Sequence, residues 1–273
     1  MLILREPFRS AWRGQDVYAL LRRMDGRVYR QKEGRRTFRF DFEGRGYFAK
    51  VFSGIGWHAL AASLVKFRRP ITSAMNERRA IEHLQAIGIP TMRLVGYGPR
   101  GWNPARIESF IITEELEPTV SLEDFCRDWP VDPPPPALKR ALIRRVAEMA
   151  RGLHSHGIHH RDFYICHFLL DTAAPPLDAD GRLARLFLID LHRAAQHRRL
   201  KRRWRIKDVA GLYFSSLDIG LTQRDRLRFM AIYSDRPWRE VLTHEKGFWK
   251  QVERRGRAGY LEFQRKNPAL FQT

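Results

Sequence analysis

The sequence is poor in cysteine: only Cys126 and Cys166 occur in 273 residues. Neither belongs to a CxxC or to a Cys/His cluster with metal-ligand spacing, which excludes a disulfide framework and favours a reduced cytoplasmic setting. No stretch approaches about 18 consecutive apolar residues, so no bilayer-spanning helix is expected. The apolar part of Met1–Phe8 is too short to read as a secretory signal. Acidic residues are scarce as well, 30 Asp and Glu against 50 Lys and Arg, a formal net charge of +20. Such a balance calls for an anionic partner: nucleic acid, an acidic membrane face, an acidic protein or a phosphorylated substrate. No recognisable DNA- or RNA-binding module accompanies the charge, so a specific nucleic acid is not the expected one.

What is present suffices for a folded chain. A hydrophobic fraction of 44% supports a sizeable core in one large domain or two lobes. Residues 1–72 read mainly as short strands with one amphipathic patch: Val28–Arg30, Thr37–Phe42 and Tyr47–Phe52 alternate apolar and polar positions, with Glu43-Gly44-Arg45-Gly46 as a turn, and resemble an antiparallel meander. Lys50 lies inside the last of these apolar runs. Ser73 is a candidate cap for a helix from about Ala74 to Ala86, ended by Gly88 and Pro90. Within it Glu77, Ile81 and Leu84 share the inward stripe while Glu82 faces away. A carboxylate on a core-facing stripe needs a partner, and Lys50 is the candidate.

Ile89–Gly98 and Glu108–Thr113 read as two more strands. Glu114-Glu115-Leu116-Glu117-Pro118 then ends the strand pattern, and the apolar period changes from two to about 3.6. A boundary belongs there, giving expected lobes of residues 1–115 and 116–273. Ser121–Cys126 begins a helix, Pro133–Pro136 is a stiff surface insertion, and Leu138, Leu142, Val146, Met149 and Leu153 mark a long amphipathic helix stopped by Gly157. Directly after it comes His160-Arg161-Asp162, then His167 five residues past the Asp, and an apolar strand Phe168–Asp171. A second strand, Leu183–Ile189, ends in Asp190.

An H-R-D triplet is weak evidence alone, and an Asp closing a strand is weaker still. The order Lys50, Glu77, Asp162, Asp190, each on the appropriate element, resembles the protein-kinase-like fold: an α+β, bilobal architecture with an N-terminal antiparallel sheet lobe carrying one major helix and a mainly helical C-terminal lobe. Longer strings carry a narrower resemblance. Trp12-Arg13-Gly14, Arg35-Arg36-Thr37, Ser109–Glu114, His160–Phe168, Ile189–Arg193 and Gly211–Ser216 closely resemble the lipopolysaccharide core heptose(I) kinases of Gram-negative bacteria, the WaaP or RfaP group. This resemblance implies ATP- and Mg²⁺-dependent phosphorylation of the first heptose of the inner core, at the cytoplasmic face of the inner membrane. It implies Asp162 as the base on the acceptor hydroxyl, Lys50 on the phosphates with Glu77 as its partner, and Asp190 on the metal. Adenine is expected against the segment containing Glu114 and Leu116, reading backbone groups.

Two departures from protein kinases stand out. His167 replaces the Asn that holds a second metal, and imidazole is a poor Mg²⁺ ligand, so a phosphate or indirect contact competes with ligation. No G-x-G-x-x-G exists, and Lys32–Thr37 is the candidate phosphate-covering turn. Asp208, near Gly211 and Leu212, fits the helix acid that in kinase folds braces the catalytic loop. Arg193–Lys207 holds eight Lys or Arg and no acid. As a solvated loop it needs no role; as a binding surface it fits the lipid A-core glycolipid and an anionic inner-membrane surface, at about 1 kcal/mol per basic residue. An acidic protein partner is also expected of so basic a chain. The alternatives are a kinase-like enzyme acting on a protein hydroxyl or another core sugar, and a non-catalytic basic binding protein.

Overall fold

The computed structural model describes residues 1–32, 34–54, 56–57, 74–103, 105–178 and 180–270. The chain forms two compact units, Met1–His83 with Thr91–Leu116 and Leu191–Arg193, and Leu84–Pro90 with Glu117–Asp190 and Ala194–Thr273. Among the described residues no helix is long and apolar enough to cross a membrane.

In chain order the first unit carries β1 (Ile3–Leu4), α1 (Phe8–Ala11), α2 (Val17–Arg23), β2 (Arg27–Lys32), β3 (Arg35–Phe42), β4 (Arg45–Ser53), α3 (Met75–Ala86), β5 (Leu94–Arg100) and β6 (Glu108–Glu114). Its six strands make one sheet in the order β1-β5-β6-β4-β3-β2, antiparallel throughout. The pleat sends successive side chains to opposite faces. On one face Tyr47, Ala49 and Val51 of β4 join Phe38, Phe40, Phe110 and Ile112 in a core closed by Phe8, Trp12, Tyr18 and Leu21. Lys50 therefore points to the other face.

Helices α1 and α2 precede the strands expected from Val28 onward. Asp16 starts α2 by accepting from the N–H groups of Tyr18 and Ala19, and Arg36 ends it by donating to the carbonyls of Leu21, Arg22 and Met24 at 3.5, 3.3 and 3.0 Å. These contacts join segments distant in sequence, so periodicity could not display them. They also turn the Arg36 guanidinium onto α2 and away from the phosphate-covering role considered for Lys32–Thr37. That segment is the tight β2–β3 hairpin, with Gly34 at φ +71° and Glu33 outside the described residues. The expected cap Ser73 also lies outside them. The strand placed at Ile89–Gly98 begins only at Leu94, because Pro90 has no N–H for a ladder.

The second unit carries β7 (Thr119–Ser121), α4 (Leu122–Phe125), α5 (Pro136–Ser155), β8 (Ile158–His159), β9 (Phe168–Asp171), β10 (Leu186–Leu188), β11 (Ala195–Gln196), α6 (Arg202–Ser215), α7 (Gln223–Ser234), α8 (Trp238–His244) and α9 (Lys246–Lys266). The strand expected at Leu183–Ile189 is confined to β10, and the Arg193–Lys207 stretch is helical from Arg202 onward. Pro136 takes the first position of α5, where its missing N–H costs nothing. Gly157 ends that helix at φ +77°, and a Cβ there would stand 2.0 Å from the His197 carbonyl. Only glycine fits both conditions.

A buried carboxylate organises the interior of this unit. Asp208, 1% exposed on α6, accepts from the His160 N–H at 2.7 Å and the Arg161 N–H at 2.9 Å. His154 Nε2 lies 3.3 Å from the same carboxylate, and His159 Nε2 sits 3.1 Å away but off the hydrogen-bonding direction. Burial alone would raise the Asp208 pKa, but the two imidazoles outweigh it and hold the carboxyl well below its usual range. Burial in turn pushes His154 and His160 below the ordinary histidine value.

The signs of these shifts agree. The stability from Asp208 is complete above the usual carboxylate pKa of about 4 and drains as pH falls through its lower folded-state value. His154 and His160 take up protons more readily when unfolded, so they withdraw stability as pH falls below about 6.5. Chemical denaturation is expected to show stability declining from about pH 6.5 downward, with Asp208→Asn costing about 3 kcal/mol at pH 7.5. An Asp208→Asn protein as stable as the parent would remove the carboxylate from this role.

Candidate active site

Lys50 and Glu77 meet as the sequence suggests. Lys50 Nζ donates to Glu77 Oε1 at 2.6 Å, with the side chains 16% and 2% exposed. Helix α3 aims the carboxylate because Glu77, Ala80, Ile81 and Leu84 form its buried stripe, whereas Glu82 is in solvent on Arg78. The other oxygen, Oε2, is buried without a hydrogen-bond partner among the described residues. That orientation is held by the ammonium and the packing of α3. Glu114, also in the first unit, closes β6; its N–H donates to the Arg93 carbonyl and its carboxylate pairs with the Arg93 guanidinium at 3.2 Å. Leu116 follows in the half-buried segment after that strand.

In the second unit, Asp162 and Asp190 are placed by separate devices. The loop bearing Asp162 leaves β8 and is held by one face of α6. Asp208 fixes the His160 and Arg161 N–H groups, and Ser215 Oγ accepts from the Ile165 N–H at 3.0 Å. Between them Gly211 admits the loop: a Cβ there would lie 3.1 Å from the Phe163 carbonyl. Positions 208, 211 and 215 share a helix face by their spacing. Ser215 escaped the sequence reading as a site residue, although this spacing after the basic stretch was the available signal.

Asp190 follows β10 at φ +60°, and Arg161 precedes Asp162 at φ +75°. A positive φ in a non-glycine residue is held by its surroundings, and such residues collect at functional sites. The surroundings of Asp190 are its neighbours in β10 and the loop. His167's carbonyl accepts from the Ile189 N–H at 2.9 Å, and His160 Nε2 donates to the Ile189 carbonyl at 3.0 Å. His160 thereby links the loop of Asp162 to the turn of Asp190.

His167 makes a second link. Its Nδ1 must donate to the Asp162 carbonyl at 2.7 Å, because a carbonyl only accepts. Nε2 lies 3.5 Å from Asp190 Oδ2. Among the described residues no group of three or more His, Cys, Asp or Glu is placed to hold a metal. Asp190 presents a carboxylate oxygen, the ligand type that a hard cation such as Mg²⁺ takes. Cys166, beside His167, is no nucleophile, since burial pushes its thiol up to about 11.

Three comparisons bear on this arrangement. The family model for the lipopolysaccharide kinase (Kdo/WaaP) family matches residues 19–233. A lipopolysaccharide core heptose(I) kinase WaaP of Pseudomonas aeruginosa is 50% identical over 264 residues, covering 97% of each chain. One of the same description from Escherichia coli is 46% identical over 253 residues, covering 93% of this chain and 94% of its own. Among solved structures, WaaP in complex with acyl carrier protein superposes with a TM-score of 0.83 at 47% identity, covering 95% of this chain and 99% of that one. With the antiparallel sheet, the helical second unit and the His160-Arg161-Asp162 loop already in place, the chain belongs to the lipopolysaccharide kinase (Kdo/WaaP) family.

Proposed function

We propose that this chain is a lipopolysaccharide core heptose(I) kinase that transfers the terminal phosphoryl group of ATP to the first heptose of the inner core, with Asp162 as general base. The observation that carries the assignment of the base is the fixing of its loop: backbone N–H groups on both sides of Asp162 are bonded to side chains of α6. Phosphoryl transfer needs little covalent help from a protein, and positioning with charge neutralisation is the main task. A carboxylate on a loop held this way can keep an acceptor hydroxyl in line and accept its proton as the new O–P bond forms and ADP leaves.

Lys50 would neutralise phosphate oxygens, kept in place by Glu77. Asp190 would hold Mg²⁺, which would supply charge neutralisation to the nucleotide phosphates. His167, tied to the Asp162 carbonyl, would keep the two acids in register. Backbone groups near Glu114 and Leu116 would read the adenine. Glu114 would do so through its carbonyl, since its N–H is engaged with Arg93.

An acidic protein is proposed as partner, in line with a solved relative bound to acyl carrier protein and with the net charge of +20 here. The proposed site of action is the cytoplasmic face of the inner membrane, reached by peripheral contact with anionic lipid.

Three results are expected. Mass spectrometry of core oligosaccharide after incubation with ATP and the purified protein shows one added phosphate on the first heptose; phosphate on protein hydroxyls alone would replace this reading with the protein-kinase alternative. Asp162→Ala lowers kcat by about 10²- to 10⁴-fold with ATP affinity within about twofold, and an active, folded Asp162→Ala enzyme ends its role as base. Glu77→Gln keeps the fold but lowers kcat/KM for ATP about tenfold, roughly one charge-assisted hydrogen bond; unchanged ATP kinetics would leave the ion pair a purely structural one.

A further inference from the structure

The basic stretch after β11 does not spread over a flat surface. Arg199, Lys201, Arg202 and Arg205 line one concavity of about 820 Å³ with Glu245 and Phe248, which come from the junction of α8 and α9. Leu200 and Phe248 are buried beneath it. Arg205 is positioned from behind: its Nε donates to the Tyr233 hydroxyl at 2.9 Å and its guanidinium carbon lies 5.3 Å from the centre of the Phe248 ring. The guanidinium carbon of Arg202 lies 6.0 Å from the same ring. Two guanidinium groups therefore share one aromatic side chain.

Gathering like charges raises the energy of a site unless an anion joins them. The only acid in the lining among the described residues, Glu245, accepts from Ser234 Oγ at 2.8 Å. Among the described residues none of Arg199, Lys201, Arg202 and Arg205 forms an ion pair. Two long helices begin at the same concavity, α6 at Arg202 and α9 at Lys246, and neither has a side-chain cap on its first turn. Their N-terminal N–H groups add further positive potential to that of the four side chains.

We infer that this concavity is an anion site for a phosphate group, and that during the reaction proposed above it holds a phosphorylated part of the acceptor glycolipid away from the hydroxyl under attack. The second half of this inference rests on the heptose kinase reading; the first does not. Guanidinium forks pair with phosphate oxygens two at a time, and convergence of four cations on one hollow suits a compact dianion. A nucleic-acid backbone would instead call for cations strung along a track. The concavity is also mechanically joined to the catalytic loop. Arg202 and Arg205 share α6 with Asp208, about 9 Å along the axis from Arg202 at 1.5 Å per residue, and Trp204 stacks on His159 at 4.8 Å just before the loop.

The test uses the full chain. With the nucleotide site saturated by ADP, inorganic pyrophosphate is titrated calorimetrically into the parent, Arg199→Ala/Lys201→Ala, Arg202→Ala and, as a charge loss elsewhere equal to that of Arg202→Ala, Arg255→Ala. The pocket variants should lose about tenfold or more in affinity, with Arg255→Ala close to the parent. Steady-state kinetics then compare lipid A-core acceptor before and after enzymatic removal of its phosphates. For the phosphorylated acceptor the pocket variants should raise KM about tenfold at nearly constant kcat. For the dephosphorylated acceptor the parent should already show the raised KM, with the variants adding nothing.

Equal pyrophosphate affinity in all proteins, or an equal loss in Arg255→Ala, overturns the anion site. Lost pyrophosphate affinity with unchanged KM for both acceptors assigns the pocket to free phosphate and overturns the glycolipid half. Loss of carrier-protein binding in the pocket variants with an unchanged glycolipid KM reassigns it to a protein interface and does the same. A parent that phosphorylates no glycolipid defeats the kinase reading itself, while the titration still judges the pocket.

Discussion

One carboxylate inside the second unit ties its architecture to its chemistry. Asp208 is buried, yet it stays ionised because two backbone N–H groups donate to it and two imidazoles crowd it. An acid this deep is strongly unfavourable without such partners. Its partners happen to be the backbone of the His160-Arg161-Asp162 loop, so the interaction that satisfies the charge also sets the loop. Gly211 and Ser215 continue the contact along the same helix face. A positive φ at Arg161 can persist under that constraint, and it directs the chain so that Asp162 follows.

The first unit solves a related problem with a different pair. Alternation along β4 separates Tyr47, Ala49 and Val51, committed to the aromatic core, from Lys50 on the opposite face. Helix α3 supplies Glu77 to that face from its apolar stripe. The 2.6 Å contact with the Lys50 ammonium offsets the burial of the Glu77 carboxylate. Both units thus use a charge that burial would otherwise forbid to hold a functional group in one orientation.

Basic charge is distributed with equal economy of partners. Many arginines on the first unit are engaged locally: Arg36 ends α2, Arg100 bridges Asp16 and Glu108, and Arg39 joins Glu115. Among the described residues Arg199, Lys201, Arg202 and Arg205 form no ion pair, and they line one hollow. Net charge by itself could not separate these two populations, because composition counts side chains without saying which already face a carboxylate.

Much of the candidate site is legible as local sequence pattern. Lys50 interrupts an apolar strand, Glu77 sits on an inward stripe, and His160-Arg161-Asp162 and Asp190 come in order at the ends of recognisable elements. These are local patterns of period and punctuation, written in neighbouring residues. Helices α1 and α2 were missed because they are short and are closed by Arg36 from a later strand. The bonds from Asp208 and Ser215 to the loop, the tautomer of His167, and the gathering of Arg199, Lys201, Arg202 and Arg205 depend on segments far apart in the chain. Sequence determined which residues could carry charge and which faces would be buried, since both follow from side-chain chemistry and repeat. Which charges meet, and at what angle, was decided only by tertiary packing, because electrostatics and hydrogen bonding act through distance in space.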